Sequence, residues 1–217
     1  MKKAIEIKVP NDYSAITLRQ YLKLQRDLEN YEGEPDAQDA FLIYNLCGLT
    51  PDVIANLDST TLTGIRGDLD KLMSKTDYDL QRFKTINGVK YGFEPNLSDM
   101  PYGAYLDITK FDEITLDKNW PQVCNILFRP VTKTKMGVLY EIEKYKGAEP
   151  WEEDKWLDVT MDFHFGCFFF FTRIYKDLLL GIQNSLKATG EIPDNINRIL
   201  QESGEAIQAL SNLQTKI

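Results

Sequence analysis

Residues 159–187 read VTMDFHFGCFFFFTRIYKDLLLGIQNSLK, and the way this stretch is covered decides the fold. The spacing predicts one long helix. At about 1.5 Å per residue it would run roughly 40 Å, the width of a small domain. At about 100° per residue, His164, Phe168, Phe171, Tyr175, Leu178, Leu179, Ile182 and Leu186 share one stripe, and Arg173, Lys176, Asp177, Gln183 and Lys187 lie off it. The second half is therefore amphipathic. The first half is apolar all round, because Phe163, Phe165, Phe169 and Phe170 point away from that stripe. Six phenylalanines fall within nine residues. At about 1.5–3 kcal/mol each, their burial represents on the order of 10 kcal/mol, provided that something covers them on several sides.

Upstream, the chain reads as short helices. From Thr17 to about Asn30, Leu18, Tyr21, Leu22, Gln25 and Leu28 recur at helical spacing until Gly33, Glu34 and Pro35 break it. Asp36 reads as the N-cap of a second segment carrying Ala37, Ala40, Phe41, Tyr44 and Leu46, with Gly48 at its C′ position. Thr50 and Pro51 pair an N-cap with a proline at the first helical position, starting a short helix through Asn56. Ser59 or Thr60 starts another, with Leu62, Ile65, Leu69, Leu72 and Met73 as its inner side. Connections this brief place successive helices side by side as a compact bundle. Ahead of them, Ile5, Ile7 and Val9 alternate with polar residues and predict a short N-terminal strand ended by Pro10.

The middle of the chain carries its clearest local signal, Asn87-Gly88 between FKTI and VKYGF. Both central residues of a type I′ turn need positive φ, which this pair tolerates, so a β-hairpin is predicted over 82–93. Ile86 then pairs with Val89, Lys84 with Tyr91 and Arg82 with Phe93, while Phe83 faces Gly92 and lays its ring over the bare glycine. A helix is predicted from near Pro101 with Tyr102, Tyr105, Leu106 and Ile108 turned inward. Trp120 to Phe128 reads as a buried helix that Pro130 terminates. Between Val131 and Pro150 the helical period is lost and Val138, Tyr140 and Ile142 share one face of a period-2 pattern. That segment is either an extended excursion or a second hairpin turning at Met136-Gly137.

Fold class follows as mainly α (α+β): a helical bundle around one long Phe-rich helix, with a hairpin and a short strand. Gly190 and Pro193 divide a single domain, 1–189, from a C-terminal helical arm, 190–217. In that arm Ile196, Ile199, Ser203, Ile207, Leu210 and Ile217 fit a packed amphipathic helix or a short coiled coil equally.

Chemistry is harder to find in the sequence than architecture. A net charge of −8 argues against a general nucleic-acid surface, and no direct nucleic-acid binding is expected. Pro10, Asn11 and Asp12 interrupt the start too soon for a signal peptide, and Arg173, Lys176 and Asp177 interrupt the Phe-rich stretch too soon for a membrane span. Cys47, Cys124 and Cys167 are odd in number and set among apolar neighbours, which reads as reduced, buried thiols rather than a disulfide or zinc framework. The lone histidine, His164, lies on the apolar stripe and reads as a core residue that finds its hydrogen bonds inside. Neither G-x-x-x-x-G-K-[ST] nor G-x-G-x-x-G occurs. Glu149, Glu152, Glu153 and Asp154 read as a solvated helix start, with a carboxylate-based enzyme as the remote alternative. No cofactor, no metal and no catalytic residue is expected.

What remains is contact. Either the monomer covers its own phenylalanine belt, or part of that belt meets other subunits, since interfaces favour aromatic residues at their centres. On the second reading the candidate contact residues are Trp151, Trp156, Phe163, Phe165, Phe169, Phe170, Val138 and Tyr140.

Several stretches resemble a known group of proteins: TLRQYLKLQ (17–25), IYNLCGLTPDVIANL (43–57), INGVKYGFEPNLSDMPYGAYLDI (86–108), VCNILFRPV (123–131) and the FFFF-bearing helix. Together they look like small proteins encoded near the tail and neck genes of tailed bacteriophages of Bacteroides and its relatives, the crAss-like phages included. The likeness runs to about Lys187, and residues beyond it match nothing in that group. It brings no catalytic residues. It implies a virion component of the neck or tail, a repeated subunit in a ring or connector, located in the virion and assembled in the host bacterial cytoplasm. The partners so implied are copies of the chain itself and other phage structural proteins. A tail-assembly chaperone that does not stay in the virion is the alternative.

Overall fold

The computed structural model of the protein describes residues 7–75, 78–112, 114–135, 139–147, 154–171 and 173, and the structural statements below concern these. It is a mixed α+β architecture. In order, the chain forms α1 (Leu18–Glu29), α2 (Pro35–Cys47), α3 (Pro51–Ala55), α4 (Ser59–Met73), β1 (Phe83–Ile86), β2 (Val89–Phe93), α5 (Tyr102–Thr109), α6 (Trp120–Leu127), β3 (Phe128–Lys135), β4 (Leu139–Ile142) and α7 (Asp154–Leu157). A helix over 161–171, α8, follows.

Of the early helices, α1 and α4 start where a side chain takes an orphan amide, and α2 and α3 start on a proline. Thr17 and Gln20 form a reciprocal capping box on α1, the Gln20 amide donating to Thr17 Oγ1 and the Thr17 amide to Gln20 Oε1. Asp58 caps α4 by accepting from the Thr61 amide at 2.8 Å, one residue ahead of the expected start. Pro35 itself opens α2, with Glu34 rather than Asp36 in the N-cap position, and Gly48 ends it at φ 68° as its place after the last periodic residue predicts.

The expected hairpin forms in the expected register, with Phe83 opposite Gly92, Lys84 opposite Tyr91 and Ile86 opposite Val89. Asn87 and Gly88 both take positive φ, 49° and 80°. The sheet is larger than the sequence suggests, with four antiparallel strands in the order β1-β2-β3-β4. Leu139 pairs back to Lys135, so the period-2 segment is a second hairpin; Met136 and Gly137, where its turn is expected, lie outside the described residues. Two details differ from expectation. Gly92 is covered by Tyr140 and Val131, each of which would lie 2.9 Å from a Cβ built there, and Phe83 packs on Tyr140 instead. Pro130 does not end α6, because the helix stops at Leu127 and Phe128 is already extended at φ −113° and ψ 115°. Pro130 sits where β3 leaves β2, which pairs with 128–130, and takes up β4, which pairs from Val131 onward. At that change of partner a missing amide costs least.

The N-terminal strand is a correction. Ile5 lies outside the described residues, while Ile7 and Val9 form no strand and lie half-buried against the core. Their alternation served one-sided burial without a neighbouring strand.

Of the long helix, 161–171 is described; its amphipathic half and the arm 190–217 lie outside the described residues. What is seen explains the all-round apolar start. Phe165 points at the N-terminal helices, with its ring 4.8 Å from Tyr13, 5.6 Å from Tyr21 and 5.9 Å from Tyr78. Phe163 points at the sheet side, 4.9 Å from Phe128 and stacked on Trp156 at 5.9 Å. Phe168 meets Trp120, and Phe170 and Phe171 meet Phe93. One helix thus fills the space between two layers. Backbone bonds fix its start to α1: the Leu18 amide donates to Val159 O at 2.9 Å and the Met161 amide to Ile16 O at 2.8 Å. Gly166 permits a further approach, because a Cβ there would fall 2.2 Å from the backbone oxygen of Asp79.

Candidate functional site

Of the eight residues expected at a contact surface, the structure places three in the chain's own core. Trp156 and Phe163 are 0% exposed and Phe165 8%. The reason is the two-layer arrangement, which covers both sides of α8 from within. Phe169 and Phe170 are half-buried, Phe169 stacking on Phe165 at 5.5 Å. Tyr140 is half-buried over Gly92 and donates its hydroxyl to Phe93 O at 2.6 Å. Trp151 and Val138 lie outside the described residues.

The exposed aromatic surface lies elsewhere, on α5. Its sequence, YGAYLDIT, turns Ala104 inward at 1% exposed, and Ile108, one turn on, packs on the core. Tyr102, Tyr105 and Leu106, expected inside, are 73%, 54% and 39% exposed, and the two tyrosine rings stack at 6.4 Å. Periodicity misjudged this helix because the smallest residues, not the largest, mark the face that must come close to a neighbour. Gly103 is exposed beside the Tyr145 ring, 3.5 Å from where a Cβ would stand.

Beneath this surface runs a polar chain. Arg129 on β3 and Glu94 just after β2 form an ion pair with both residues more than nine-tenths buried. Burial pushes the Glu94 carboxyl up and the Arg129 guanidinium down; each charge works against the other's shift, and the Asn96 amide also favours the Glu94 carboxylate. The guanidinium lies 5.9 Å from the centre of the Tyr145 ring, and the Tyr145 hydroxyl donates to Asp107 Oδ2 on α5. Asp107 also accepts from Lys110 at 2.6 Å. Periodicity does not announce Glu94 and Arg129, since their pairing comes from strand register 35 residues apart in sequence.

His164 occupies the core as its place on the apolar stripe suggests, but it does more than pack. It is 0% exposed, accepts from Trp120 Nε1–H at Nδ1 (3.0 Å) and donates from Nε2 to Trp156 O (3.0 Å). Burial lowers its pKa to about 4, which keeps it neutral. Cys124 and Cys167 are buried as well, and burial raises both thiols above their ordinary range. Cys47 is half-buried.

Among the described residues, no group of three or more His, Cys, Asp and Glu side chains is placed to hold a metal ion. No helix among them is long and apolar enough to cross a membrane. The chain matches none of the protein-family models, curated proteins or solved structures with which it was compared.

Proposed function

We propose that the protein acts through protein–protein contact in building a tailed-bacteriophage particle, as a repeated subunit of the neck or tail. The observation that carries this is the α5 face. Two stacked tyrosines and a leucine stand in water, while their neighbours Leu97, Met100, Ile108 and Phe111 pack partly buried against the core. Tyrosine is the residue type that interface centres favour, because it offers apolar area together with a polar tip. The stretch that builds this face, INGVKYGFEPNLSDMPYGAYLDI (86–108), is also one of those that resemble the phage neck and tail proteins. Its expected partners are further copies of the chain and neighbouring phage structural proteins, and the expected location is the virion. No catalytic step and no cofactor enter this reading.

Mass analysis of purified virions tests it. Stoichiometric copies are expected. Absence from the virion, with association to tail proteins during infection, would replace the subunit reading with that of a tail-assembly chaperone using the same face.

A further inference from the structure

α5 is weakly attached to the body for an element that carries a contact surface. It has eight residues, too few to be stable alone in water. No side chain caps its start at Pro101, and Ala104 is its one fully buried residue. Against this stands the Tyr145 side chain, which arrives from just beyond β4 and touches α5 twice. Its ring lies beside Gly103, 3.5 Å from where a Cβ would stand, and its hydroxyl bonds to Asp107 one turn later. The other side of the arrangement is fixed, because Arg129 beneath the ring is buried in β3 and held by Glu94.

We propose that Tyr145 is the positioning residue of α5, a clasp that transmits the location of the sheet, through Glu94 and Arg129, to the helix that presents Tyr102, Tyr105 and Leu106. Its consequence for assembly rests on the reading of α5 as the contact face. The clasp itself does not. A hydrogen bond to a charged carboxylate is among the stronger single interactions in a protein. Its loss should free α5 while leaving the ring's packing, and so the sheet, in place.

Amide hydrogen exchange on the full-length protein tests this. In Tyr145→Phe, α5 amides should exchange about tenfold faster or more, as the energy of a charged hydrogen bond implies. The amides of β1 and β2 that exchange by local opening should keep their wild-type rates, and the unfolding midpoint should fall by no more than this one hydrogen bond accounts for. Asp107→Asn keeps an acceptor but loses the charge and should fall between wild type and Tyr145→Phe, whereas Asp107→Ala should match or exceed Tyr145→Phe. Unchanged exchange in α5, or an equal increase in α5 and in the locally exchanging amides of the sheet, would overturn the clasp, the latter because it marks general loosening. Self-association by sedimentation separates the two readings. If Tyr105→Ser abolishes association while Tyr145→Phe alters neither association nor α5 exchange, the contact face stands and the clasp falls. If the wild-type chain neither associates nor occurs in virions, the subunit reading falls, and exchange alone still decides the clasp.

Discussion

Trp120 donates its indole N–H to Nδ1 of His164 at 3.0 Å, inside a core where neither residue is more than 2% exposed. With Nε2 donating to Trp156 O, this bond fixes one neutral tautomer and joins α6, α7 and α8 through a single ring.

That arrangement gives the fold an acid limit. The folded pKa of His164 is about 4 and the unfolded value about 6.5, so the unfolded chain binds the extra proton between them. The contribution is complete above about pH 6.5 and is lost progressively as the pH falls toward about 4, on the order of 3 kcal/mol in all. Glu94, whose pKa is raised, contributes with the opposite sign near its own pKa, whereas Asp12, Asp58 and Asp158, whose values are lowered, lose their contributions below about pH 3.8. Urea midpoints of wild type and His164→Gln between pH 4 and 7 isolate the histidine. The variant should be less stable at pH 7 by about 1–3 kcal/mol and should show a flatter profile. Parallel profiles would assign the acid sensitivity to other groups.

Gly166→Ala and Gly64→Ala should have opposite signs. Both replace a helical glycine, which by propensity alone gains up to about 1 kcal/mol. At Gly64 nothing lies within 4 Å of the new methyl, and stabilisation is expected. At Gly166 the methyl would meet the Asp79 carbonyl oxygen, so a net loss of about 1–3 kcal/mol is expected from chemical denaturation. Stabilisation at both positions would show that the 79–80 segment yields easily.

The Glu94–Arg129 pair should be worse broken than absent. Glu94→Gln leaves a buried guanidinium without its counter-charge and should cost about 3–5 kcal/mol. Joint replacement, Glu94→Leu with Arg129→Met, should cost much less than the two single changes summed, since apolar residues of similar volume need no compensation there. Additive costs in a double-mutant cycle would mean that the two side chains act separately.

Phe163 and Tyr105 should part company in the same assays. Phe163→Ala opens a cavity among Phe128, Trp156 and His164 and should lose about 3–5 kcal/mol of stability. Tyr105→Ser should change stability by about 0.5 kcal/mol or less and act on association instead. A large loss of stability from Tyr105→Ser would put that side chain in the core after all.

Where the chain speaks through local rules, reading it succeeded. Asn87-Gly88 dictates a turn and hence a register, Gly48 a helix end, and Pro51 a helix start, because each depends on φ values that few residues tolerate. The phenylalanine run disclosed that it needed cover on several sides. Which ring faces which layer depended on the backbone returning at residues 79–80 and 128, and nothing local records that. The α5 face was misread for a related reason. Tyrosine and leucine look like core until Ala104 and Ile108 are seen to form the seat. Glu94 and Arg129 meet through pairing between separate strands, and no periodicity reports such a meeting.

The start of α1 is tied to the start of α8, where Arg19 pairs with Asp158, 139 residues further along the chain. This has a consequence in time. Long-range closures of this kind come late in folding and slow it, and during synthesis the ribosome adds only about 5–20 residues per second. Until Phe165 is made, Tyr13, Tyr21 and Tyr78 have been synthesised without the ring that they enclose. The helical third therefore emerges as a half-built shell, and the phenylalanine helix closes it only after the chain has been made through residue 171.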